Sequence, residues 1–444
     1  MSNEASPSTL LNPPKSLSKK LTFLGPGFIL SASIVGSGEL IATTLLGAKA
    51  GFIALWVILL SCFVKVAIQV EFGKNAILFG KSLMTEINQL SDKKSTFSNW
   101  SIWGIGILTL LKILQLGGMI GGAALALSLI FPSISVGTSL VFLGAILPFF
   151  FLKNYYPLIE RTASIMVFAF SLFTLFCFLS ILFTPYSFNW EQIRSGLSFH
   201  LPKEYLFVAI GAFGITGVAS DEIIAYTYWC REKGYAKYTG PNDGSDDWKK
   251  RAQGWINIMK LDAAVAMIIY TLITAAFYIL GASVLYENKN LPEGNDLISY
   301  LASIYTETLG EEVKTMYLVG AFFALYSSVF ATLAYWTRLF PDILGTLGWI
   351  SESNKIYLIQ TLAIFFPIAW IAVYWFIQQP AFLVLIGGSI GSVLLIIISY
   401  LGIVFHRKNK TTGVDSGVIS ALFFWISLVS ILGVSLYGIV QSIQ

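Results

Sequence analysis

Among the ionisable side chains inside long apolar runs are the acids Glu39, Asp221 and Glu222 and the bases Lys65 and Lys112. An ionised group at the centre of a bilayer costs about 2.5–3.5 kcal/mol or more, so such residues pair with one another or with backbone carbonyls and mark ion paths. The acids sit in two similar strings. One reads Gly36-Ser37-Gly38-Glu39-Leu40-Ile41-Ala42-Thr43-Thr44, the other Ala219-Ser220-Asp221-Glu222-Ile223-Ile224-Ala225-Tyr226-Thr227. They share Ser37/Ser220, Glu39/Glu222, Ile41/Ile224, Ala42/Ala225 and Thr44/Thr227. Glycines at 36, 38 and 217 make it cheap to unwind a helix at these strings. Unwound backbone at membrane depth exposes N–H and C=O groups that hydrocarbon cannot satisfy, so it occurs where it lines a cavity or is packed in protein. Freed carbonyls with carboxylates could hold a cation, and freed amides a small anion. The expected binding residues are Gly36, Ser37, Gly38, Glu39, Ala219, Ser220, Asp221, Glu222 and Tyr226. Glu39, Asp221 and Glu222 would be the ligands of a metal cation, and Lys65, Lys112 and Gln115 are charge-pairing or coupling candidates.

The elements that carry these strings follow from hydropathy. The 444 residues are 56% hydrophobic and 12% charged, with a mean hydropathy of +0.74, whereas soluble domains carry about 25% charged residues. The solvent for most of the chain is lipid. A bilayer-spanning helix needs about 20 apolar residues, and such runs fall at 21–47, 52–72, 101–131, 136–152, 162–183, 205–230, 255–285, 313–336, 356–376, 381–405 and 414–440. The first run lacks a small-residue cleavage pattern and is expected to be retained. With an odd number of helices in each five-helix set, the second set enters from the opposite side, and the two strings open the first helices of inverted repeats.

Orientation follows from the basic residues. With the amino terminus cytoplasmic, 20 of the 28 Lys and Arg fall on the cytoplasmic side, five outside and three within or at the edge of spans, the asymmetry that the positive-inside rule requires. The carboxyl terminus is then outside. The chain divides into a disordered cytoplasmic stretch (1–20), a first five-helix repeat (21–184), a second (204–405) and an eleventh helix (414–440). In the link after the sixth run, Asp246-Asp247 reads as the cap of a short interfacial helix carrying Trp248 and Trp255.

Other classes are excluded. Three cysteines and two histidines without paired spacing give no disulfide framework, zinc site or nucleophile pair. Gly73 to Gly80-Lys81-Ser82 has six residues between its glycines where a phosphate loop uses four. A net charge of +4 without basic clusters argues against nucleic acid. No enzyme activity, cofactor or obligate protein partner is implied. The expected partners are a small inorganic ion, the lipid bilayer and a coupling ion, Na⁺ or H⁺.

The sequence resembles the Nramp divalent-metal transporters from about Leu21 to the tenth run. The likeness is clearest in Gly25-Pro26-Gly27-Phe28, in Ala50-Gly51-Phe52-Ile53-Ala54-Leu55-Trp56, and in Ile120-Gly121-Gly122-Ala123-Ala124-Leu125-Ala126-Leu127-Ser128-Leu129-Ile130. The resemblance implies an all-α membrane protein with a LeuT-type 5+5 inverted repeat plus an eleventh transmembrane helix, helices 1 and 6 broken. It also implies secondary transport by alternating access in a cell (inner or plasma) membrane. The family's Asp-Pro-Gly-Asn falls on Gly36-Ser37-Gly38-Glu39 and its Met-Pro-His on Ala219-Ser220-Asp221, so this branch lacks the metal-binding aspartate and methionine. Its second sixth-helix histidine becomes Tyr226, and its acidic third-helix proton route falls on Gln115 and Gly118. Two substrates remain open. Oxygen ligands from Glu39, Asp221 and Glu222 suit a hard divalent cation such as Mg²⁺. A Gly-Ser-Gly break resembling that of amino-acid permeases suits a bicarbonate-like or carboxylate anion, taken up with Na⁺.

Overall fold

Backbone polar groups in lipid need partners within their own segment, and regular structure among the described residues is helical throughout. The computed structural model describes residues 10–36, 38–90, 96–152, 156–286, 296–414 and 417–443; the expected site residue Ser37 lies outside them. Eight helices there are long and apolar enough to cross a bilayer, and Val136–Phe149 and Phe168–Phe183 are shorter apolar helices. One of the eight, Gly38–Phe79, contains a turn at Gly51, where φ is +60°, separating the end of the first span from the second. With Pro26–Ile34 as the start of the first span, the eleven expected spans are all helical.

Helices overrun the apolar runs wherever protein replaces lipid or water as partner. The second span continues to Phe79 and the tenth to Lys410. Their ends meet around buried Glu71, whose carboxylate takes Lys74 at 2.5 Å and the Asn409 amide at 3.1 Å. His406 lies 3.4 Å from the same carboxylate and stacks on Phe424 of the last span. Outward-facing Phe149, Phe168, Phe176, Phe376, Val418 and Ile419 are exposed, which is the surface that lipid covers.

Two expectations change at the amino-terminal side. Residues 10–14 pack against the link between the sixth and seventh spans. The Leu11 N–H donates to Tyr238 O at 3.1 Å and the Trp255 indole to Leu11 O at 2.8 Å, and Leu17–Leu21 is a short helix. The described part of 1–20 is therefore ordered by specific partners. The expected interfacial helix is the start of a continuous helix, Asp246–Leu280. Trp248 and Trp255 are fully buried, so their indoles fasten this strap and the preceding loop and do not reach the headgroups.

The first and sixth spans are both interrupted. Pro26–Ile34 stops, Gly36 N–H closes a tight turn onto Ile34 O at 2.6 Å, and the helix restarts as a π turn at Gly38–Thr43. A Cβ on Gly36 would lie 1.9 Å from Ser328 Oγ and 3.2 Å from Ala324 O, so glycine lets the eighth span press on the break. Leu206–Ile215 ends at Thr216, in extended conformation, and Gly217 follows at φ +60°. A Cβ there would stand 2.9 Å from the Cys62 Cα. The helix resumes at Ser220. Small residues let the helices approach closely, Gly388 against Gly211 and Gly214 and Gly121 against Tyr374.

Candidate functional site

Between the two breaks lies a cavity of about 40 Å³. One water needs about 10–15 Å³ by this measure, so the space takes roughly three water-sized particles, enough for a small ion with part of its hydration. Its walls come from four helices: Ser33 and Gly38 from the first, Gln115 and Met119 from the third, Ala219, Asp221 and Glu222 from the sixth, and Thr332 and Tyr335 from the eighth.

Glu222 is the carboxylate held ready at this cavity. It lies in the first turn of the restarted sixth helix, where an acid is favoured by the helix dipole. One oxygen accepts the Ala219 N–H at 2.9 Å and the other the Ser33 hydroxyl at 2.9 Å. The carboxylate thus ties the two broken helices together across the cavity. Asp221 also reaches the cavity wall, but its Oδ1 is paired with the buried Lys112 ammonium. Lys112 sits between the helices Thr96–Leu111 and Ile113–Ile130, so the third span is interrupted for one residue where it meets the sixth. One turn on, Gln115 lines the cavity, and its Oε1 is buried without a hydrogen bond. The Gln115 amide faces the Met119 thioether at 4.0 Å.

Several expected site residues are elsewhere. Glu39 is fully buried, behind the sixth-helix break, with one oxygen accepting the Gly217 N–H at 3.4 Å and the Thr274 hydroxyl at 3.1 Å. Its π turn rotates the side chain away from the cavity. Glu39, Asp221 and Glu222 therefore do not form one ligand set: among the described residues no three Asp, Glu, His or Cys side chains converge to hold a metal ion. Gly36 faces Ser328. Ser220 Oγ is buried without a hydrogen bond, outside the cavity wall. Tyr226 points to the seventh span, its hydroxyl donating to Asp262 at 3.1 Å, because one residue past Ala225 a helix turns through about 100°.

Lys65 is likewise outside the cavity. Its ammonium donates to Phe213 O at 2.7 Å and Thr216 O at 2.6 Å, the carbonyl end of the first half of the sixth span, and lies 5.2 Å from the Phe213 ring centre. Ser61 adds a hydroxyl to the same two carbonyls, both at 2.9 Å. Neither lysine presents a free charge to the cavity.

Ser33, Met119, Thr332 and Tyr335 were not anticipated as cavity residues, since nothing in their neighbourhoods distinguishes them from packing. Asp262 was also missed. It accepts the Gly25 N–H at 2.8 Å and the Gly27 N–H at 2.5 Å, fixing the start of the first span to the seventh. An acid inside an apolar run was its available signal.

The family described as natural resistance-associated macrophage protein-like, Nramp, matches residues 27–441. A divalent metal cation transporter, MntH, of Staphylococcus aureus (strain Mu3) is 23% identical over 315 residues, covering 68% of this chain. The chain spans about 65% of the length of that curated relative. Among solved structures, a mutant of the Eremococcus coleocola manganese transporter aligns over 99% of this chain and 98% of its own, with a TM-score of 0.65 at 15% identity. Mhp1, a nucleobase-cation-symport-1 family transporter in a closed conformation, covers 99% of this chain and 95% of its own at a TM-score of 0.57 and 13% identity. Two interrupted helices, the 5+5+1 arrangement and a family match over nearly the whole length lead to one conclusion: the chain is an integral membrane protein of LeuT-type fold and belongs to the Nramp family.

Proposed function

We propose that this protein is a secondary active transporter that moves a hard divalent cation, Mg²⁺ or Mn²⁺, by alternating access. The observation that carries the reading is Glu222, a carboxylate bridging the two broken helices at an ion-sized cavity. Carboxylate, amide and hydroxyl oxygens from Glu222, Gln115 and Ser33 suit Mg²⁺ and Mn²⁺, with retained water completing the shell. The named function of the Staphylococcus relative, divalent metal cation transport, supports the same class. An anion would need positive charge at the cavity, and the two lysines nearest the breaks are engaged elsewhere, Lys112 by Asp221 and Lys65 by carbonyls. The repeats at 21–184 and 204–405 would rock about the cavity, with 414–440 outside the repeat. The amino terminus is assigned to the cytoplasm of the cell membrane and the carboxyl terminus to the outside, on the distribution of Lys and Arg.

Uptake by protein reconstituted in liposomes tests this. Saturable Mg²⁺ or Mn²⁺ uptake is expected, reduced about 100-fold or more in Glu222→Gln, as for loss of an ion pair at a buried site. Na⁺-driven bicarbonate or carboxylate uptake with no divalent flux overturns it.

A further inference from the structure

The carbonyls at a broken transmembrane helix are ordinarily a seat for a free monovalent cation, because half-helix C-terminal ends carry partial negative charge that only a cation or a donor can satisfy. In this chain the seat at the end of Leu206–Ile215 is filled by a side chain. We propose that the Lys65 ammonium is a tethered cation occupying a Na⁺-type site in the sixth-helix break, so that transport by this protein requires no free Na⁺. The inference rests on the transporter reading above and names its coupling arrangement.

Three observations carry it. Lys65 is 0% exposed, in the middle of the second span, and cannot reach either membrane surface to shed its charge. Its ammonium makes short bonds to two main-chain carbonyls, Phe213 and Thr216, and among the described residues it pairs with no carboxylate. Around it are the other features of a cation site. Ser61 Oγ and Thr216 Oγ1 lie 3.1 Å apart at the same carbonyls, and the face of Phe213 lies alongside. Across the break Glu39 holds the next backbone amide, that of Gly217. An ordinary helix cap made by lysine keeps its head near water; this one does not.

Removing the tether should expose the seat. In Lys65→Ala and Lys65→Ser, Phe213 O, Thr216 O and the Ser61 and Thr216 hydroxyls remain, with Glu39 nearby, and the space left by the butylammonium chain admits a dehydrated Na⁺. The probe is radioactive Na⁺, measured by equilibrium binding to the purified full-length protein, with thermal unfolding in NaCl against choline chloride and divalent uptake in liposomes on the same preparations. Wild type is expected to bind no Na⁺ saturably and to take up divalent cation equally well in sodium or choline medium. Both variants are expected to gain saturable Na⁺ binding, to melt a few degrees higher in NaCl than in choline, and to take up divalent cation faster when Na⁺ is present. Folded variants that bind no Na⁺, or saturable Na⁺ binding by wild type, overturn the proposal. Should neither variant fold in any salt, the wild-type measurement decides in the same way. Wild-type protein with no divalent uptake defeats the transporter reading instead, and leaves the Na⁺-binding comparison to decide the tethered cation.

Discussion

At the residue scale, charge pairing decides which acid faces the cavity. Lys112 and Asp221 are both nearly removed from solvent, and breaking a buried pair by deleting one partner costs about 3–5 kcal/mol because the other charge is left uncompensated. Lys112→Met is therefore expected to destabilise the protein by about that amount, and Lys112→Met combined with Asp221→Asn to recover most of it. Unfolding of the three variants in one detergent measures this; additive losses in the double variant would contradict the pairing. The sequence shows that these charges need partners, since an unpaired charge in lipid is untenable. It does not show which partner each finds. Glu39 and Glu222 occupy equivalent places in the repeated strings, yet a π turn at Gly38–Thr43 sends Glu39 to Gly217 and Thr274, while the α-helical restart at Ser220 leaves Glu222 on the cavity. A difference of helix pitch that no local motif encodes separates the two roles.

At the element scale, the breaks are held open by neighbouring spans. Gly217 combines a left-handed backbone with contact against the second span; Gly244 has a similar φ of +75° with nothing within 4 Å of a Cβ. Both should suffer the backbone strain of a side chain, about 1–2 kcal/mol, but Gly217→Ala adds a clash with Cys62. Gly217→Ala is expected to lower the melting temperature clearly more than Gly244→Ala and to reduce uptake, whereas Gly244→Ala leaves uptake unchanged. Equal effects on melting would show that the break tolerates a shift. The location of both breaks was legible, because glycines and acids interrupt otherwise continuous apolar runs. The interruption at Lys112 was not, since no glycine or proline marks it. The strap at residues 10–14 was hidden for the opposite reason: it belongs to a Ser-, Pro- and Asn-bearing stretch that reads as disorder, and partners distant in the sequence, Tyr238 and Trp255 among them, hold it.

At the scale of the molecule, the second and sixth spans meet through Lys65, the third and sixth through Lys112, and the first and sixth through Glu222. The seventh holds the beginning of the first through Asp262. The moving parts of the proposed cycle are therefore linked by polar contacts at the breaks. The count of spans and their inverted pairing followed from hydropathy and the sorting of basic residues; the composition of the cavity required the fold, because nothing about Met119, Ser33 or Tyr335 in the sequence sets them apart from packing residues. The direct test is a structure with Mn²⁺ bound, the metal located by its anomalous scattering. A single strong peak between the two breaks, in direct contact with the Glu222 carboxylate and absent in Glu222→Gln, is the predicted result. A peak at the buried Glu71 and His406 cluster instead, or none at the breaks at saturating Mn²⁺, would contradict the account.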